Sequence, residues 1–205
     1  MNEQNPILGT SKETTFNVED IKNAECSFVK EGDVIKKALL TINGTVVQAC
    51  GSPKYRLDTI STIYNKLINE KNLKIVECGV GTGLILEEFK KLNFEEYTVV
   101  EINKQLSEYF QDDKVINDEF YNFVKNNDFQ DTAFIIRIPI PEKANVVSFL
   151  KYLSSNFGHL FNKNNYIVID TFDLNFTLNN IEQKIELGID NVSNNMVYSY
   201  FIKLW

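Results

Sequence analysis

The residues with chemistry to offer begin in the run Glu77-Cys78-Gly79-Val80-Gly81-Thr82-Gly83. Glycines at alternate positions let a backbone turn sharply and lie bare against a ligand. The amphipathic stretch after them would aim a helix N-terminus, with its unpaired N–H groups, at the same place. Two acids follow downstream, Glu101 and Asp118. A carboxylate at the position of Glu101 can accept both hydroxyls of a ribose. Asp118 is placed to accept from an exocyclic amine, with Glu119 beside it and Ile102 or Phe120 offering an apolar face to a purine. The ligand these groups describe is an adenosine without a pyrophosphate, its amino-acid-like tail lying on the loop. A dinucleotide fingerprint would need glycine or alanine where Leu84 stands, and no Gly-Lys-Ser/Thr exists for a phosphate-binding Walker loop.

Positioning such groups takes a strand before the glycines and a helix after them. Residues 74–78 read as that strand and 84–92 as that helix. The alternation continues: strands at 98–102, 114–117, 133–138 and 166–170, and helices at 104–110, 119–126, 143–160 and 177–187, the last capped by Gly188. Two strand-like runs, 189–192 and 196–203, are joined by Ser193-Asn194-Asn195, and so short a link makes them antiparallel. Ahead of the glycines, short β-like runs at 25–29, 34–40 and 45–48 are punctuated by Gly32 and by Asn43-Gly44, a strong hairpin signal. Ser52-Pro53 then starts a helix carrying Leu57, Ile60, Tyr64 and Leu67. The expected fold class is α/β: a doubly wound, mostly parallel seven-stranded sheet, Rossmann-like, ending in an antiparallel hairpin. A flexible arm over 1–20 and a small β-rich unit over 21–52 precede the main domain at 53–205.

The chain of 205 residues has a net charge of −7, which repels phosphate backbones and argues against nucleic acid as a partner. Cys26, Cys50 and Cys78 are odd in number and lack a C-x-x-C spacing, so neither a disulfide framework nor a metal site is expected, and a reducing cytoplasm fits. No apolar run reaches membrane-spanning length, and the polar start has no signal-peptide character. The one histidine, His159, follows Gly158 at the end of a helical pattern and reads as a terminal or surface residue.

On these residues the sequence resembles the class I S-adenosylmethionine-dependent methyltransferases. The resemblance covers about residues 73–205. It rests on Glu77 to Gly83, Val100-Glu101-Ile102-Asn103, Asn117-Asp118 and the final hairpin. It implies S-adenosylmethionine as cofactor, held by Glu77, Gly79, Gly81, Thr82, Gly83, Glu101, Ile102, Asp118, Glu119 and Phe120. The run from Val99 to Leu106, with Ile138-Pro139, is similar to the rRNA adenine dimethyltransferases. Their catalytic Asn-x-Pro-aromatic motif would fall on Arg137-Ile138-Pro139-Ile140, which lacks both amide and aromatic. The segment from Leu40 to Gly44, with Gln48 and Tyr55, resembles the spermidine synthase family, and so does the stretch from Phe120 to Lys125. That implies Gln48 and Tyr55 at the nucleotide pocket. Yet the family's loop acid is Thr82 here, and its catalytic aspartate would fall near Ile138.

Methyl transfer from a sulfonium asks mainly for in-line positioning, and a general base is optional. Arg137 closes an apolar strand, where it would either bind an acceptor carboxylate or phosphate or make a structural ion pair. Asp170, Glu142 and Asp173 are candidates for base or amine ligand, or for loop and cap acids. Three readings stand. One is a methyltransferase acting on a small molecule or protein side chain. The second is a relative of the spermidine synthase-like aminopropyltransferases. The third is a catalytically inactive binding or regulatory protein of the same fold. A homodimer is carried as an expectation that no residue locates.

Overall fold

A computed structural model of the chain describes residues 18–51, 73–92, 94–136, 152–171, 185–190 and 197–204. It begins with a short helix, α1 (Val18–Asn23), then strands β1 (Glu25–Glu31), β2 (Val34–Ile42) and β3 (Thr45–Gly51). These three form an antiparallel sheet in chain order. The tight turns fall at Gly32 and at Asn43-Gly44, all with positive φ, as the turn chemistry demands. The arm expected over 1–20 thus meets α1 at Val18. Six residues with one apolar anchor, Ile21, give no periodic signal, so this helix rests on tertiary contact.

The main sheet has seven strands. They are β4 (Lys74–Cys78), β5 (Tyr97–Glu101), β6 (Val115–Asn117), β7 (Thr132–Ile136), β8 (Asn165–Thr171), β9 (Ile185–Asp190) and β10 (Val197–Leu204), in the spatial order β6-β5-β4-β7-β8-β10-β9. Strands β6, β5, β4, β7 and β8 run parallel. β10 is antiparallel to both β8 and β9. Helices α2 (Leu84–Lys91), α3 (Lys104–Phe110) and α4 (Phe120–Asn126) make the crossovers.

Alternate residues of each central strand enter opposite layers, which is why these strands read as continuous apolar runs. On one face Ile75, Val99, Ala133, Ile135 and Val168 pack under Ile85, Leu86 and Phe89 of α2 and Leu106 of α3. On the other, Val76, Val100, Phe134, Ile136 and Ile167 pack under Phe120, Tyr121 and Val124 of α4, with Leu153, Phe157 and Leu160. Each fully buried Val, Leu, Ile or Phe among them contributes roughly 1.5–3 kcal/mol.

Two expectations are corrected. The helix placed over 177–187 does not extend to its proposed cap. Residues 185–190 are strand β9, paired with β10 so that Gly188 lies opposite Ser199. Ile185, Leu187 and Ile189 alternate with period two, and ladder pairing outweighs the capping signal of a glycine; residues 177–184 lie outside the described residues. The helix placed over 143–160 ends earlier as well. Residues 152–156 are helical, Phe157 leaves helical geometry at φ −130 and ψ 42, and Gly158–Leu160 form a separate 3-10 turn. The helix expected after Ser52-Pro53, with Tyr55, lies outside the described residues.

Candidate functional site

The carboxyl end of β4 runs into the glycine loop, the position at which open parallel sheets bind ligands. Gly79, Gly81 and Gly83 have φ of 84°, 57° and 75°. All three lie in the left-handed region that only glycine enters freely. The Gly79 amide extends the parallel ladder to Val100 O at 2.8 Å, and the Gly83 amide closes a turn on Val80 O at 2.9 Å. Gly83 then caps α2, its carbonyl accepting from the Glu87 amide at 2.9 Å. Among the described residues nothing accepts from the amides of Gly81 and Thr82. A Cβ at Gly81 would meet nothing nearer than Cys50 Cβ, 3.8 Å away. The loop is therefore open at its tip, with two donors to offer. Thr82 is half-buried there.

Glu101 ends β5 next door and is only 4% exposed. Its Oε2 accepts from the Val80 amide at 2.9 Å, and its Oε1 from the Asn103 amide at 2.8 Å. Burial pushes its carboxyl above the usual range, against the pull of those amides. A Cβ at Gly79 would lie 3.9 Å from Oε2, so acid and loop form one site. A carboxylate has about four acceptor positions, and these amides do not fill them all.

Asp118 follows β6. Its Oδ1 accepts from the Glu119 amide at 2.7 Å and from Asn122 Nδ2 at 2.8 Å. Glu119 caps α4, accepting from the Asn122 amide at 2.7 Å. Glu77 lies beneath the loop, where its buried carboxylate accepts from the Tyr97 hydroxyl. Phe120 does not offer a ring to a purine. It is 6% exposed and packs edge-on against Tyr121 and Phe134, because the inward face of α4 takes it into the core. Ile102 packs against Ile21, Ala24 and Leu40 of the N-terminal unit. Gln48 is exposed, its amide donating to Cys50 Sγ at 3.5 Å. Asp170 lies in β8, one residue beyond the last rung shared with β7. Arg137 and Tyr55, with Glu142 and Asp173, fall outside the described residues. His159 is exposed and bonds Val124 O at 3.0 Å through Nε2.

The structure adds Asn103, which sequence reasoning passed over. It is fully buried. Its Oδ1 caps α3 at the Leu106 amide, 2.8 Å away. Its Nδ2 donates to Ile21 O at 2.9 Å and Ala24 O at 2.8 Å. One side chain thus fastens α1 to the corner that holds Glu101. Gln105 Oε1 assists by accepting from the Cys26 amide at 2.8 Å. An asparagine just before an amphipathic run is a readable N-cap signal; its second role is not readable. The inner face of the small sheet sits against the loop as a result, with Ala38 and Cys50 packed into the layer of Val80 and Ile85.

Among the described residues, no cluster of histidine, cysteine and acid could hold a metal, and no helix is long and apolar enough to cross a membrane. Neither a protein-family model nor a curated protein matches the sequence. Solved structures do match. A human methyltransferase 10 domain containing protein is 11% identical, with TM-score 0.55 over 75% of this chain and 83% of its own. A candidate methylase, HI0767 of Haemophilus influenzae, is 15% identical, with TM-score 0.51 over 75% of this chain and 100% of its own. A candidate methyltransferase of Escherichia coli, yhhF, is 13% identical, with TM-score 0.50 over 77% and 93%. With its strand order, its terminal antiparallel pair and these likenesses, the chain has the fold of the class I S-adenosylmethionine-dependent methyltransferases.

Proposed function

We propose that the chain is an S-adenosylmethionine-dependent methyltransferase acting on a small molecule or a protein side chain. The observation that carries this is the union of glycine loop and acid: Val80 N–H rests on Glu101 Oε2 at 2.9 Å, beside an open Gly81. The residues present fit the donor. Glu101 would take the ribose hydroxyls, Asp118 the adenine amine, and the Gly81 and Thr82 amides the carboxylate tail. When bound, the sulfonium supplies an already activated methyl group. The protein's share is to fix an acceptor in line with it and to keep water out. The N-terminal unit that packs beside the loop, with Arg137 and Asp170, carries the proposed acceptor-side groups. The acidic net charge supports acceptors other than nucleic acid.

Calorimetric titration of S-adenosylmethionine tests this. Wild type should bind, and Asp118→Ala should bind roughly tenfold more weakly through loss of one charge-assisted hydrogen bond. Absence of heat with wild type would refute the donor assignment. Preference for the decarboxylated donor would favour aminopropyl transfer instead.

A further inference from the structure

The three-stranded sheet has two edges, and they differ. Strand β1 is guarded. It carries Glu25, Lys30 and Glu31. Its Cys26 amide donates to Gln105 Oε1 at 2.8 Å, and Lys30 Nζ donates to the Tyr109 hydroxyl at 2.9 Å. Charged residues and a covering helix are usual protections of a sheet edge. Strand β3 holds no charged residue. Among the described residues no strand lies beyond it. Val46 is 53% exposed, and Gln48 and Ala49 are exposed as well. The one irregularity of β3 is a bulge at Val47, which packs toward Ile21, Ala24 and Leu40.

The ladder fixes which backbone groups face the open side. The Cys26 amide points away from β2, so Cys26 and its partner Leu40 form a non-hydrogen-bonded pair. Leu40 therefore turns its N–H and C=O toward β3, where its partner is Gln48. The pattern alternates, so Ala49, opposite Leu39, presents its N–H and C=O to the open edge. The small sheet also steps across the main one in a definite direction. β1 lies at α3, which follows β5, through Gln105 and the Phe28–Tyr109 ring contact at 4.1 Å. β3 lies at the loop that follows β4, since a Cβ on Gly81 would be 3.8 Å from Cys50 Cβ. The main sheet runs on in the order β5-β4-β7. A further strand beside β3 would thus stand at the carboxyl end of β7, next to the loop.

We infer that the open edge of β3 docks an extended peptide segment of a protein acceptor, uncharged along its paired residues. The peptide adds a fourth strand to the small sheet. Backbone hydrogen bonds at Ala49 give affinity, and alternate side chains of the peptide turn toward the donor. The docked side chain's nucleophile gains the methyl as the carbon–sulfur bond breaks. Its proton passes to solvent, and the donor leaves as the neutral thioether. This inference rests on the donor assignment proposed above and selects a protein acceptor within it.

The test uses the full chain, tritiated S-adenosylmethionine and a pool of random short peptides, with Ala49→Pro as the variant. Proline there deletes an outward N–H and spares the ladder to β2. Wild type should label a subset of the peptides. N-methylating the backbone of a labelled peptide, one position at a time, should abolish labelling at alternate positions, as strand pairing requires. Ala49→Pro should lower labelling about tenfold or more, while its calorimetric affinity for S-adenosylmethionine stays that of wild type. If Ala49→Pro loses donor affinity as well, it is misfolded, and alternation in the peptide scan alone decides. Donor binding without any labelled peptide, a scan without alternation, or full labelling by Ala49→Pro would overturn the inference and leave the donor assignment standing. A dimer in sedimentation that Ala49→Pro dissociates would give the edge to a second copy of the chain and also overturn it. No donor binding by wild type would remove the donor assignment and this inference together.

Discussion

Gly83→Ala should be the most damaging single-methyl change in the glycine loop. The residue caps α2 at φ 75°. A Cβ built there lies 2.2 Å from Phe110 Cε1, 2.7 Å from Cζ and 3.1 Å from Cδ1. The ring would have to swing away from Tyr109, on which it now packs edge-on at 5.2 Å. Holding alanine in the left-handed region costs about 1–2 kcal/mol, and overpacking adds about 1–3 kcal/mol. Reduced freedom of the unfolded chain returns less than about 1 kcal/mol. The net loss is therefore about 2–4 kcal/mol. Gly81→Ala provides the control, since its Cβ meets only Cys50 Cβ at 3.8 Å. It carries the conformational cost alone, about 1–2 kcal/mol. Urea unfolding of both variants reads the difference. In a Phe110→Ala background the clash disappears, and Gly83→Ala should fall to the cost of Gly81→Ala. Equal costs in the wild-type background, or no relief from Phe110→Ala, would refute the reasoning that Phe110 is what demands glycine at position 83.

Asn103→Ala removes a helix cap, leaves the Ala24 carbonyl without its side-chain donor and takes one of two donors from the Ile21 carbonyl. It should cost about 2–4 kcal/mol and speed amide exchange and proteolysis around Ile21; unchanged protection there would show that α1 is held by other means. Burial holds the Glu101 carboxyl above its ordinary range, opposed by the Asn103 and Val80 amides. The folded protein therefore binds that proton more tightly than the unfolded chain. Stability contributed by this group is full below the ordinary glutamate value and is lost as pH rises through the raised one. Glu101→Gln should flatten that segment of the stability–pH curve, and a curve of unchanged slope would contradict it. Burial, and next the Glu101 charge, push the thiols of Cys78 and Cys26 upward. Both should alkylate far more slowly than free cysteine near pH 8, so rapid iodoacetamide labelling of either would count against the structure.

Much of the parallel sheet is legible in the sequence because each buried strand is short, apolar on both faces and bounded by turn residues. The strand at 74–78 and the helix at 104–110 take their expected bounds. Residues 185–190 were not legible in the same way. Three alternating apolar residues with Gly188 between two of them fit a helix end as well as a strand, and only pairing with β10 decides. Phe120 shows a related limit. Its proximity to Asp118 suggested a ligand face, but a helix's inward side is set by packing, here against Phe134. The types of the site residues are visible in the sequence, while their joining is not. Glu101 meets the Val80 amide across 21 positions, and only because β4 and β5 are neighbours in the sheet. Asn103 carries this furthest. Its backbone amide steadies the Glu101 carboxylate, and its side chain grips Ile21 and Ala24 from 82 and 79 positions away. Loop, acid and N-terminal unit are thereby one hydrogen-bonded assembly. A ligand that draws on Glu101 acts on the same corner that seats the small sheet against the loop, so donor binding and the placement of the N-terminal unit share their support.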